Sequence, residues 1–156
     1  MADKYEKSLD DELDWTKADQ YHKAALQISD KCFEIKKLSI VTITAFITVL
    51  VKFTKDNLDW SLFISIYLII IMFWFIDSVS YYYQAKLRQN ILDHFNNITE
   101  RNAPQNVTDE EKDKPKQENK FKKIKKSVFN HSMWVYYIMI LFNTITSYLF
   151  WIGKIK

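Results

Sequence analysis

Eight lysines crowd between Lys112 and Lys126 against only Asp113 and Glu118, with Phe121 and Ile124 interleaved. A run of ammonium groups has one obvious use, the electrostatic capture of phosphates on a nucleic acid strand, a nucleotide or a lipid headgroup. Lys114, Lys116, Lys120, Lys122, Lys123, Lys125 and Lys126 are the candidate contacts. Two readings follow from the residues: a juxtamembrane anchor for anionic lipid, and a binding site for a polyanion such as an oligonucleotide or nucleotide signal. A third is autoinhibitory pairing with the first nineteen residues, which carry seven acids against three lysines.

Catalytic chemistry is not expected. The chain has no GxSxG, no phosphate loop, no HExxH and no CxxC, and His22, His94 and His131 lie in unrelated segments. With one glycine in 156 residues, loops that cradle phosphates through backbone N–H groups are excluded. Neither a metal nor a cofactor is expected. The single cysteine, Cys32, rules out a disulfide within one chain and reads as a small buried hydrophobe.

Three polar features interrupt otherwise apolar stretches. Asn143, Thr146 and Ser147 share one helix face, and an amide facing lipid is costly, so this face points at protein, as helix packing, or at water, as a pore lining. Thr44 and Thr48 are weaker candidates for the same roles, as are Thr42, Ser61 and Ser65, because such hydroxyls can bond to their own helix carbonyls. Asp77, directly after seventeen uncharged residues, is expected to pair with Lys36 or Lys37 or to serve in gating.

The elements that position these groups follow from hydropathy. Residues 1–14 are charged and aperiodic, and are expected to be loose. From Trp15 to Lys37, Tyr21, Ala25, Ile28, Cys32 and Ile35 recur at alternating spacings of four and three, a helix-packing seam. This helix continues into an uncharged run, Leu38 to Val51, that forms a first span over 38–53. The run is short for a crossing of about 20 residues, and Lys36, Lys37, Lys52 and Lys55 can snorkel to the headgroups. After a turn at 54–59, Trp60 to Ile76 forms a second uncharged span with aromatics near both ends. It runs on as a helix over 77–100 with an apolar stripe of Val79, Tyr83, Leu87, Ile91, Phe95 and Ile98. A linker is expected over 101–120, a basic juxtamembrane helix over 121–132 and a third span over 133–152.

The sequence thus describes an all-α membrane protein with three transmembrane helices, the first two extended as long helices into a cytoplasmic helical bundle. There is no signal peptide pattern at the N-terminus. Basic residues number 7 before the first span, 2 in the hairpin turn, 11 between spans two and three and 2 after the third. The positive-inside rule places residues 1–37 and 77–132 in the cytoplasm and the C-terminus outside. The sequons at Asn97, Asn106 and Asn130 then lie on the cytoplasmic side and carry no meaning.

At FWFIDSVSYYYQAKLRQN, Phe73 to Asn90, the chain resembles the small membrane effectors of bacterial anti-phage defence, the SLATT-type and related families. Trp74, Asp77, Tyr81, Tyr82 and Arg88 match their pattern, while a Glu-Arg pair common after the Asp is replaced by Gln84 and Ala85. The resemblance, covering roughly residues 15–152, implies a homo-oligomer in the bacterial inner membrane, with a tetramer as the working number, that forms a pore or channel and depolarises the membrane on infection. It also implies a nucleotide or DNA-oligomer ligand from a partner nucleotidyltransferase, as in CBASS-like or Hailong-type systems. The ligand set is then the lysine run together with Arg88. The rival expectation is a non-conducting membrane scaffold, or an accessory subunit of a transporter, that recruits a cytoplasmic partner.

Overall fold

The computed structural model describes residues 8–53, 59–103 and 120–155, and every regular element among them is helical. Helix α1 runs Leu9–Phe53 and α2 runs Trp60–Asn102, both without a break. Helix α3, Lys120–Val128, is joined through a 3-10 turn at His131–Met133 to α4, Trp134–Trp151. Part of α2 and the stretch Phe121–Trp151 are long and apolar enough to cross a membrane.

Helix α1 begins six residues earlier than the hydropathy pattern predicts. Ser8 Oγ accepts from the Asp11 N–H at 3.1 Å, and Asp10, Asp11 and Glu12 fill the first turn, where the helix dipole favours acids. Residues 9–14 are therefore helical rather than loose. At the start of α2, Asp59 caps the helix by accepting from Trp60 N at 2.7 Å. The chain's one glycine, Gly153, closes α4 with φ 70°. Its N–H donates to the Phe150 carbonyl and that of Lys154 to Leu149, a Schellman ending that a residue with a Cβ would adopt only under strain.

The two long helices form an antiparallel hairpin with two chemically distinct halves. In the apolar half, Leu62, Phe63, Ile66, Ile70 and Phe73 of α2 are buried with Met133 and Tyr136, and Ile43, Phe46 and Leu50 of α1 pack against them. Helix α4 docks chiefly on α2. In the polar half the α1 seam buries Ala18, Ala25 and Cys32, and small residues there let the helices approach closely. The facing side of α2 departs from the predicted stripe at its start, while Leu87, Ile91 and Ile98 further along are half-buried and Phe95 packs on Trp15 of α1. Val79 and Tyr83 are exposed, and the buried residues are Asp77, Ser78 and Gln84. Gln84 Nε2 donates to the Ala25 carbonyl at 3.3 Å, using the space that the small alanine leaves.

Candidate functional site

Where the two halves meet, three helices converge on Asp77, whose side chain is 0% exposed. Lys36 of α1 brings its Nζ to 2.6 Å from Asp77 Oδ2. The approach is a charge pair without hydrogen-bond geometry, and neither carboxylate oxygen has a hydrogen-bond partner. Fully buried Tyr136 of α4 and the thiol of Cys32 face the same carboxylate. Burial, reinforced by that negative neighbour, pushes the Cys32 thiol up to about 11. Maleimide labelling of Cys32 at pH 8 is accordingly expected to be slow in the folded protein and to accelerate on unfolding, a difference readable by mass spectrometry.

Of the two lysines named for Asp77, Lys36 makes the pair, and Lys37 instead lies over the Phe33 ring at 4.4 Å. Lys36 is thus turned inward rather than snorkelling. Trp74, three residues before Asp77, ties down the α3–α4 junction. Its Nε1 donates to the Val128 carbonyl at 3.3 Å, and its ring meets Phe129 and Tyr137 edge-on.

Two cavities open beside this node on the polar side. One, of about 220 Å³, lies between α2 and α3 and is lined by Arg88, Gln89, Lys123, Lys126 and Ser127 among others. The second, of about 520 Å³, lies between α1, α2 and the start of α4, and is lined by Cys32, Lys36, Arg88, His131 and Ser132 among others. Tyr81, Gln84 and Arg88 belong to both.

The predicted lysine set is thus partly assembled. Lys123, half-buried, and Lys126, exposed, share a cavity with Arg88, while the exposed Lys122 and Lys125 lie outside it. Lys120 opens α3, but its side chain lies outside the described residues, as do Lys114 and Lys116. Asn143 is buried and its Nδ2 donates to the Phe63 carbonyl at 3.1 Å, a bond between helices. Asn143 and Thr146, with Thr44 of α1, border an apolar cavity of about 360 Å³ between the three helices. The hydroxyls of Thr146 and Ser147 return to the Asn143 carbonyl, and those of Thr44 and Thr48 to Ile40 and Thr44. Replacing Asn143 by leucine removes its bond to the Phe63 carbonyl, leaving that of Tyr67 with Thr144 between the same two helices, and is expected to cost about 1 kcal/mol. A fall in the thermal midpoint in detergent, without loss of helicity, would register it.

Sequence reasoning missed a polar clasp at the far end of the hairpin. Arg101 Nε donates to Asp11 Oδ1 at 2.9 Å and its Nη2 donates to Asp14 Oδ2. His94 Nδ1 lies 2.8 Å from the other Asp14 oxygen, its ring stacked on Tyr21, and Asn102 Nδ2 donates to Asp11 at 3.0 Å. Asp11 and Asp14 of the acidic N-terminal stretch thus pair with Arg101, His94 and Asn102 of α2. Spacing could have found them, because Asp11 and Asp14 continue the alternating three–four register of Ala18, Tyr21 and Ala25.

Hydrogen bonds from Arg101 and then from His94 hold the Asp14 carboxyl below its usual 3.8. A group with a depressed native value stabilises the fold fully above its unfolded value and loses that contribution as pH falls through the lowered one. The clasp should therefore stay closed at neutral pH and fray only below about pH 4, seen as faster amide exchange at the two helix ends, with Asp14→Asn reducing the pH dependence and Asp11 carrying the remainder.

Comparison with family models, with characterised proteins and with solved structures returns no match to this chain.

Proposed function

We propose that this chain is a membrane effector whose copies assemble into a pore or channel, controlled by a phosphate-rich signal, of the kind used in bacterial anti-phage defence. On this reading Leu38–Val51 of α1, Trp60–Ile76 of α2, and α4 are three spans, and the polar half of the hairpin stands in the cytoplasm with α3. The exposed apolar faces of α2 and α4, including Leu68, Phe75, Leu141 and Phe142, suit lipid or neighbouring copies.

The observation that carries the control mechanism is the meeting of Lys123 and Lys126 with Arg88 across one cavity. Helix α3 is joined to α4 through only Phe129, Asn130 and the 3-10 turn. A strand of phosphates bridging α3 to Arg88 of α2 would fix where α4 sits against the hairpin, and its release would free α4 to move. Such a ligand gates only if it binds the two arrangements unequally. Within one copy the space between the helices is apolar and Asn143 is engaged with Phe63, so the conducting path is assigned to the boundary between copies, four being the working number. The signal would come from a partner nucleotidyltransferase.

Expression in bacteria with a potential-sensitive dye tests this reading. Depolarisation and growth arrest, changed in either direction by Lys123→Glu with Lys126→Glu, are expected. An intact potential at high expression, both with and without oligonucleotide or nucleotide signals, would overturn it and favour the non-conducting scaffold, as would binding that liposome charge alone explains.

A further inference from the structure

We infer that the cavity of about 520 Å³ between α1, α2 and the start of α4 is a binding site for the headgroup phosphate of an anionic phospholipid. Its polar lining is a phosphate-binding set: the ammonium of Lys36, the guanidinium of Arg88, the imidazole of His131, and the hydroxyls of Ser29 and Ser132. No carboxylate lines it, and with Lys36 already paired to Asp77 behind the wall, Arg88 supplies the positive charge not already matched. Guanidinium and ammonium donors converging on a part-enclosed space suit a tetrahedral anion with several acceptor oxygens. This site is distinct from the lysine-lined cavity on α3, with which it shares only Tyr81, Gln84 and Arg88.

The remaining wall selects the source of the phosphate. Phe33 and Trp134 line the same cavity, yet are 60% and 58% exposed, and Leu38 one turn beyond Phe33 is 56% exposed. These residues stand where the uncharged stretch of α1 and the whole of α4 begin. The inference therefore rests on the placement of those stretches in a bilayer. A lipid whose phosphate enters the cavity would lay its acyl chains along this apolar rim, whereas a soluble nucleotide would leave the rim in water. The ligand also touches the node beneath, since Lys36, which binds Asp77, is one of its donors. Headgroup occupancy would weigh on that pair and on the α4 residue Tyr136 behind it.

The experiment uses the full chain, purified and reconstituted into vesicles of phosphatidylcholine with or without phosphatidylglycerol, then extracted for native mass spectrometry. Preferential retention of phosphatidylglycerol is expected. Arg88→Gln and His131→Gln, tested separately so that a folding defect in one does not decide the matter, should each reduce retention by about tenfold, the loss of one charge-assisted contact. Lys86→Gln, at an exposed position of α2 outside both cavities, should leave it unchanged. Because Cys32 lines this cavity, phosphatidylglycerol should also slow its reaction with maleimide.

Equal retention of the two lipids, or loss equal in Lys86→Gln and Arg88→Gln, would overturn the proposal. So would displacement of phosphatidylglycerol by inorganic phosphate or adenosine monophosphate at equal concentration, which would show a site for soluble phosphate. The outcome is separable from that of the pore reading: selective retention without depolarisation keeps this site and rejects the pore, and depolarisation with unselective retention does the reverse.

Discussion

Replacing Lys36 by methionine is expected to destabilise the protein by about 3–5 kcal/mol, because it leaves the Asp77 carboxylate buried with no counter-charge. Asp77 is 0% exposed, and Lys36 is the cation paired with it among the described residues. The double substitution Lys36→Met with Asp77→Leu should recover most of the loss, since exchanging a buried ion pair for apolar side chains of similar volume is often neutral or better. A double-mutant cycle on thermal midpoints in detergent measures the coupling. Equal destabilisation in the single and the double variant would sink the idea that the pair acts as a unit. If the recovered double variant is stable yet no longer depolarises cells, the pair serves gating rather than folding alone.

The second large effect concerns the polyanion. Lys123→Glu with Lys126→Glu should lower the affinity for a single-stranded oligonucleotide about hundredfold, by removing two phosphate contacts and adding repulsion. Each contact to a single strand contributes about 0.7 to the slope of log affinity against log salt, so the slope should become shallower by about 1.4. Fluorescence anisotropy across a salt series separates the two measures. Charge reversal at Lys125, away from the Arg88 cavity, should have a smaller effect than at Lys123. If equal reversals at Lys125 and Lys123 weaken binding alike, the lysines act as a diffuse charge cloud and the cavity has no special part.

Helicity and the hairpin were readable from the sequence because they depend on long apolar periods with no proline or glycine to interrupt them. The alternating three–four register of Tyr21, Ala25, Ile28 and Cys32 names the face of α1 that meets α2. The same register continues through Asp11 and Asp14 at one end and Ser39 at the other, all buried. A reading keyed to apolar residues stops short of them, which is why the start of α1 and the Arg101 clasp were missed. On α2 the error ran the other way. Val79 and Tyr83 look like seam residues by type, yet Gln84 and Asp77 take the buried places because each has a specific partner on α1, a carbonyl and an ammonium. Pairing across 41 and 59 residues leaves no local trace in hydropathy. The basic cavity was half legible: the lysine run advertises charge, but which two lysines meet Arg88 depends on how α3 folds back on α2.

The unbroken course of α1 and α2 has a mechanical consequence. At 45 and 43 residues each rod is about 65 Å long, and neither contains proline or glycine. Clamped to each other at Arg101 by charge and in the apolar half by packing, they behave as a stiff two-bar shaft with the Lys36–Asp77 pair near its middle. A twist applied at the clasped end cannot be absorbed by a kink and must emerge as a turn of the apolar half, carrying α4 with it. Anything that grips the far end of the hairpin therefore has purchase on the other end, about 65 Å away.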